Sequence, residues 1–174
     1  RRASRGSSLR RAMSRSKRSA CWRAAVAGLV GGRMPARRRS QSAGSRIARA
    51  ITMARVARDH HPDVGILTND PITGIGERQF EPTDAIVSAV AVDVVGVNYY
   101  PHTARTALSK VLVKTWRRYG KPVMVSETSW HDGHPVHHRR HPGFHKGAWL
   151  RHVLDEVAIA RGRGARVVGV CWYP

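Results

Sequence analysis

Glu127 follows a short apolar run, and a carboxylate in that position can take part in acid–base or nucleophilic chemistry. The run, residues 122–125 (P-V-M-V), predicts a buried strand. A buried strand does not ordinarily end on an unpaired charge, because desolvating a carboxylate is costly. In parallel α/β proteins the functional side chains collect at the carboxyl ends of strands. We therefore expect Glu127 to project from the sheet into a site.

Polar or aromatic residues follow each of four apolar runs in the chain. These residues are Asn69 and Asp70, Asn98 to Tyr100, Glu127 to Trp130, and Trp172 with Tyr173. Aromatic rings can stack on the C–H faces of a sugar ring, while carboxylates and amides bind its hydroxyl groups. Four strand ends of this type predict one pocket suited to carbohydrate.

The elements that must position these residues alternate between helix and strand. The pattern predicts a helix from about Ser45, a strand at 64–68, a short helix from about 82, a strand from 93, a helix at 108–119 ended by Gly120, a strand at 122–126, a helix at about 145–161 and a strand at 167–173. The strands are near-continuous apolar runs, which predicts a parallel sheet buried on both faces. The fold class is thus α/β, either doubly wound or part of a (β/α)8 barrel. No glycine-rich phosphate-binding motif follows a strand, which disfavours nucleotide binding.

The net charge of +20 is concentrated at the start of the chain. Residues 1–58 contain 17 Lys and Arg and no Asp or Glu, whereas the remainder is nearly balanced. Residues 1–45 are rich in Arg, Ser, Ala and Gly, a composition that predicts disorder. This segment has the composition of a GC-rich gene read out of frame; a solvated tail and a nucleic-acid-binding arm are the alternatives. We assign residues 46–174 to the folded domain.

Cysteine content and hydropathy restrict the compartment. Cys21 and Cys171 lie far apart and form no metal-binding or disulfide pattern, which favours a reducing, cytoplasmic environment. No apolar run reaches the roughly 18–20 residues that a membrane helix requires, so we expect no membrane partner.

Three of the strand-end motifs carry a family resemblance. N-Y-Y (98–100), V-S-E-T (125–128) and V-C-W-Y-P (170–174) resemble the second half of β-glucosidase-like (β/α)8 glycoside hydrolases of clan A. The resemblance covers roughly residues 47–174 and implies barrel strands five to eight. It implies that Glu127 is the nucleophile of retaining hydrolysis and that Tyr99, or alternatively Tyr100, orients it. It also implies a carbohydrate substrate, with substrate contacts from Asn98, Tyr100, His102, Trp130 and Trp172.

The chain departs from that family where the second carboxylate is expected. Retaining hydrolysis needs two carboxyl groups about 5–5.5 Å apart, and the acid/base Glu of the family follows strand four. Residues 1–58 contain no acidic residue, and Asp70 in N-D-P aligns better with strand five. We therefore expect this chain to be inactive or nearly so by itself. A half-barrel would also leave open sheet edges, which predicts self-association.

A histidine-rich segment follows the presumed nucleophile. Six of the fifteen residues from His131 to His145 are histidines. We favour a loop over the active site, and a solvated loop or a metal-dependent enzyme using these histidines are alternatives. The segment has no H-E-x-x-H motif, so we assign no metal ligand and no cofactor.

Overall fold

The computed structural model describes residues 36–173, with side chains from residue 44 onward. Helices and strands alternate in the order α1 (Ala36–His60), β1 (Leu67–Asp70), α2 (Glu81–Ala89), β2 (Val94–Asn98), α3 (Leu108–Tyr119), β3 (Val123–Thr128), α4 (Pro135–Arg140), α5 (Lys146–Gly162) and β4 (Val167–Trp172), with a 3-10 turn at Glu77–Gln79. Most of the basic segment 1–45 lies outside the described residues. The predicted disorder of this segment and the alternative of nucleic-acid binding therefore stay predictions.

The four strands form one parallel sheet in the order β1-β2-β3-β4. Neighbours in the chain are also neighbours in the sheet, as in a (β/α)8 barrel, whereas a doubly wound sheet reverses its strand order at a switch point. The register places Asn69 opposite Gly96, and Asn98 opposite Glu127. The predicted parallel sheet and partial barrel are therefore confirmed. Self-association through the outer edges of β1 and β4 stays a prediction.

The core lies where helices cover the sheet. Helix α3 buries Leu108, Val111 and Leu112, and α5 buries Trp149 and Val153. Each such side chain contributes roughly 1.5–3 kcal/mol on burial. No helix within residues 36–173 has the length and apolar character to cross a membrane.

The element boundaries differ from the sequence prediction in three places. Helix α1 begins at Ala36 rather than near Ser45. Strand β1 is Leu67–Asp70 rather than 64–68, so the apolar residues 64–66 precede the strand. The segment interpreted as a long histidine-rich loop contains α4, which begins with Pro135 at a position where proline favours helix initiation. Gly120 ends α3 in the left-handed conformation with φ of 63°, as predicted.

Candidate active site

Glu127 is the centre of a hydrogen-bonded group at the carboxyl end of the sheet. Its Oε1 accepts a hydrogen bond from Asn69 Nδ2 at 2.7 Å, and its Oε2 accepts one from the Tyr100 hydroxyl at 3.0 Å. Asn69 belongs to β1, Tyr100 follows β2, and Glu127 belongs to β3. Three successive strands therefore fix one half-buried carboxylate in a defined orientation.

Tyr100 rather than Tyr99 donates a hydrogen bond to Glu127, which agrees with the alternative given above and not with the first choice. Tyr99 is only 3% exposed and stacks on Trp149 with ring centroids 5.9 Å apart. Its hydroxyl donates to the carbonyl oxygen of Thr106 at 2.9 Å, so it has no role toward Glu127. Burial, with a smaller effect of a nearby carboxylate, raises the pKa of Tyr99 to about 12.

A shift in strand register explains which tyrosine faces the site. The pairing of β2 with β3 is irregular between Val97 and Asn98, immediately before the two tyrosines. Because Val97 pairs with Val125 and Asn98 with Glu127, the extra residue is Ser126 of β3. Side chains alternate between faces along a strand, so this extra residue brings Glu127 to the face that Asn98 and Tyr100 share. Burial and the hydrogen bond to Glu127 raise the pKa of Tyr100 above its ordinary value, so its hydroxyl keeps its proton and can donate.

Asn69 lies at one of the strand ends predicted to form the pocket, and its contact with Glu127 was not predicted. Besides its bond to Glu127, it has a second polar atom, Oδ1, that is buried and has no hydrogen-bond partner among the described residues. Its position at a strand end was the one available signal. Asn98 accepts a hydrogen bond from the Ser126 hydroxyl at 3.0 Å through its Oδ1, and its contact with substrate stays a prediction.

Asp70 is not part of this group, although it follows Asn69 directly. It is 4% exposed and accepts a hydrogen bond from the Thr83 hydroxyl on α2 at 2.7 Å. Successive residues of a strand face opposite sides of the sheet, so Asp70 faces the helix layer while Asn69 faces Glu127. Burial raises the pKa of Asp70.

The two tryptophans predicted to contact substrate differ in accessibility. Trp130 is 1% exposed and packs against Trp149 and His137, which leaves almost none of its ring accessible to a substrate. The helices that follow β3 cover it. Trp172 is half-buried at the end of β4 and pairs in register with Thr128, whose hydroxyl accepts a hydrogen bond from Trp149 on α5, so its contact with substrate stays a prediction.

Three imidazoles lie together beside Tyr100. His102 follows β2, and His134 and His137 belong to the start of α4; one ring nitrogen from each lies within 4.8 Å of the other two. The ring centroids of Tyr100 and His102 are 5.5 Å apart. Burial, more than the neighbouring histidines, lowers the pKa of His137 to about 4 and also lowers that of His102, so both rings are neutral near pH 7. These are the described residues that have the arrangement of metal ligands.

Comparison with known proteins relates this geometry to glycoside hydrolases. Residues 73–140 match the sequence model of Glycosyl hydrolase family 53, a stretch that includes Tyr100 and Glu127. No curated protein sequence gives a significant match.

Two solved structures resemble the chain. One is a hyperthermophilic β-glucosidase mutant that forms a dodecamer in its crystal, with a TM-score of 0.62 and 16% identity over 82% of this chain and 41% of that one. The other is the GH53 catalytic domain of Ignisphaera aggregans, with a TM-score of 0.49 and 18% identity over 66% of this chain and 37% of that one. The chain thus spans about two fifths of the β-glucosidase's length. Its fold is that of part of a glycoside hydrolase-like (β/α)8 barrel, as the strand-end motifs predicted.

Proposed function

We propose that the chain is the nucleophile-bearing part of a retaining β-glycosidase, with Glu127 as the nucleophile. The observation that carries this proposal is the pair of hydrogen bonds to Glu127, one to each carboxylate oxygen, from Asn69 and Tyr100. A nucleophilic carboxylate must be held in a near-attack orientation toward the anomeric carbon. Two neutral donors achieve this without a cation that would neutralise the nucleophile.

The surroundings of Glu127 suit a sugar hydroxyl. The buried, unpartnered Oδ1 of Asn69 can accept a hydrogen bond from a hydroxyl group placed beside the carboxylate. An unsatisfied buried acceptor costs about 1–3 kcal/mol, so a ligand that satisfies it gains affinity. The proposed substrate class is therefore a β-linked pyranoside.

The proposal includes a specific deficit in this chain. Among residues 36–173, no second carboxylate is hydrogen-bonded into the Glu127 group, and Asp70 faces α2. The reaction needs a general acid to protonate the leaving oxygen, a contribution of about 10²–10⁴-fold in rate. The chain alone should thus form a glycosyl ester only with leaving groups that depart as stable anions.

A trapping experiment tests the nucleophile separately from the missing acid. The purified chain is incubated with 2,4-dinitrophenyl 2-deoxy-2-fluoro-β-glucoside and, in parallel, with its β-galactoside counterpart. Glu127 attacks the anomeric carbon, the bond to the aryl oxygen breaks, and dinitrophenolate leaves without protonation. The fluorine slows hydrolysis of the ester, so mass spectrometry should find the fluoroglycosyl group on the peptide that contains Glu127.

Matched variants make the result decisive. Glu127→Gln should remain unlabelled, while Asp155→Asn, which changes an exposed carboxylate on α5, should be labelled like the unchanged chain. Circular dichroism would verify that both variants are folded. Absence of label from the folded, unchanged chain with both probes, or label on a residue other than Glu127, would contradict the proposal.

A further inference from the structure

We propose that His102, His134 and His137 form a binding site for a divalent transition metal ion of the Zn²⁺ type. The ion would connect the loop after β2 to the beginning of α4. This inference is independent of the glycosidase proposal, since it concerns neither Glu127 nor its hydrogen-bond donors.

The spacing of the three rings carries the inference. Nδ1 of His102 and Nε2 of His137 are 3.0 Å apart, and a nitrogen of His134 completes a triangle with all separations within 4.8 Å. In a tetrahedral site with Zn–N bonds of about 2.0–2.1 Å, neighbouring nitrogens are about 3.3 Å apart. One edge of the triangle therefore already has nearly the required length, and the other two edges exceed it by at most about 1.5 Å.

The cluster contains a buried nitrogen that could bind a ligand. Nδ1 of His134 is buried and has no hydrogen-bond partner among the described residues. The rings of His134 and His137 stack with centroids only 4.3 Å apart, and those of His102 and His137 are 5.2 Å apart. Stacking alone leaves the polar edges of three imidazoles close together and incompletely paired, which is costly in a buried setting. A bound cation converts these nitrogens from competing groups into ligands.

The donor set selects the class of metal. Three neutral imidazoles suit Zn²⁺, Co²⁺ and Ni²⁺, whereas Ca²⁺ and Mg²⁺ require oxygen ligands. Asp132, the nearest acidic residue along the chain, is exposed, and no carboxylate belongs to the triangle. Three protein ligands leave a fourth position for water.

Metal binding also requires a change in the position of the proton on His137. The backbone N–H of His131 donates to Nδ1 of His137 at 3.2 Å, so the proton of the neutral ring is on Nε2, which donates to Nδ1 of His102. A metal ion on Nε2 displaces that proton to Nδ1, and the hydrogen bond from His131 must break. Binding should therefore alter the backbone at His131 as well as the three rings.

Zinc titration of the full chain tests the site. Protein freed of metal with a chelator is titrated with ZnCl2 by calorimetry, and its melting temperature is recorded with and without Zn²⁺. We expect one equivalent of Zn²⁺ to bind and the melting temperature to rise, because an ion that binds the folded state stabilises it. Co²⁺ should give the visible absorption of a tetrahedral nitrogen site.

The variants separate the triangle from other histidines. His134→Asn removes a half-buried ligand and should weaken Zn²⁺ binding at least about 100-fold, since loss of an outer-shell partner alone costs about 10–100-fold. His138→Asn, an exposed histidine on the same helix, should bind Zn²⁺ like the unchanged chain. His102→Asn provides a second test from a different loop if His134→Asn is unstable. Equal affinity in the ligand variants and the control, or no binding at millimolar Zn²⁺, would overturn the proposal.

Discussion

Replacing Gly96 by alanine should strongly destabilise the protein, because this position has no room for a side chain. A Cβ atom placed there would lie 2.0 Å from the backbone oxygen of Thr68 and 2.6 Å from Oγ of Ser126. Thr68 belongs to β1 and Ser126 to β3, so Gly96 is confined from both neighbouring strands. The hydroxyl of Ser126 can rotate away, whereas the backbone of β1 cannot move without disturbing the sheet.

The expected loss follows from this contact. Overpacking a core typically costs about 1–3 kcal/mol, and relief here also disturbs the hydrogen bond from Gly96 N to the Thr68 hydroxyl. We expect a loss of about 3 kcal/mol or more, a large share of the roughly 5–15 kcal/mol that stabilises a typical domain. With a urea dependence of about 1–3 kcal/mol per molar, the unfolding midpoint should fall by roughly 1–3 M.

Gly169→Ala is the matched control. Gly169 lies in β4, and a Cβ there would meet only the flexible side chain of Met124, at 3.6 Å or more, which is ordinary contact. Urea unfolding followed by circular dichroism should show a midpoint near that of the unchanged chain for Gly169→Ala and a much lower one for Gly96→Ala. Equal midpoints for the two variants would refute the reasoning.

Four further substitutions test the other contacts. Tyr100→Phe should slow the trapping of Glu127 by about 10–100-fold, because a hydrogen bond to a charged group is worth about 1.5–3 kcal/mol; Tyr99→Phe should leave that rate unchanged and lower the unfolding free energy by about 1 kcal/mol. Burial raises the pKa of Asp70 in the folded protein, so the protonated side chain favours the folded state. This contribution to the free energy of unfolding is complete below pH 3.8 and is lost as the pH rises through the folded-state pKa. The free energy of unfolding of Asp70→Asn, compared with that of the unchanged chain in urea titrations, should therefore increase as the pH rises from 3.8 through the folded-state pKa. A decrease over this pH range would contradict a raised pKa. Gly120→Ala, at φ of 63°, should cost about 1–2 kcal/mol in the same assay, and no loss would contradict a left-handed helix end.

The fold was predictable because its signals are local and repeated. In helix α3 the spacing of Leu108, Val111 and Leu112 determines the buried face, and Gly120 determines where the helix ends. Helix α4 was missed because histidine and arginine have no strong periodic signal over so short a segment. Helix α4 forms because Pro135 favours a helix start and because His137 is buried against Trp130. The contact between His137 and Trp130 depends on the tertiary structure, so the local sequence does not predict it.

The site was predictable at Glu127 and much less so around it. Choosing between Tyr99 and Tyr100 required the register of β2 against β3, which shifts between Val97 and Asn98 and leaves no trace in the sequence. Trp130 looked like a ligand contact because it follows the strand end, yet the packing of later helices determines its exposure. Pairings across strands, such as that of Asn69 with Glu127, depend on contacts 58 residues apart.

The bond between Asn69 and Glu127 also connects the site to the outermost described strand. Strand β1 is at one end of the sheet and pairs with β2 alone among the described strands. Opening of a terminal strand is the least costly kind of local unfolding in a sheet. When β1 opens, the Glu127 carboxylate loses one of its two donors even though β2 and β3 remain intact. Hydrogen exchange of the β1 amides would therefore measure directly the fraction of time for which the complete site exists.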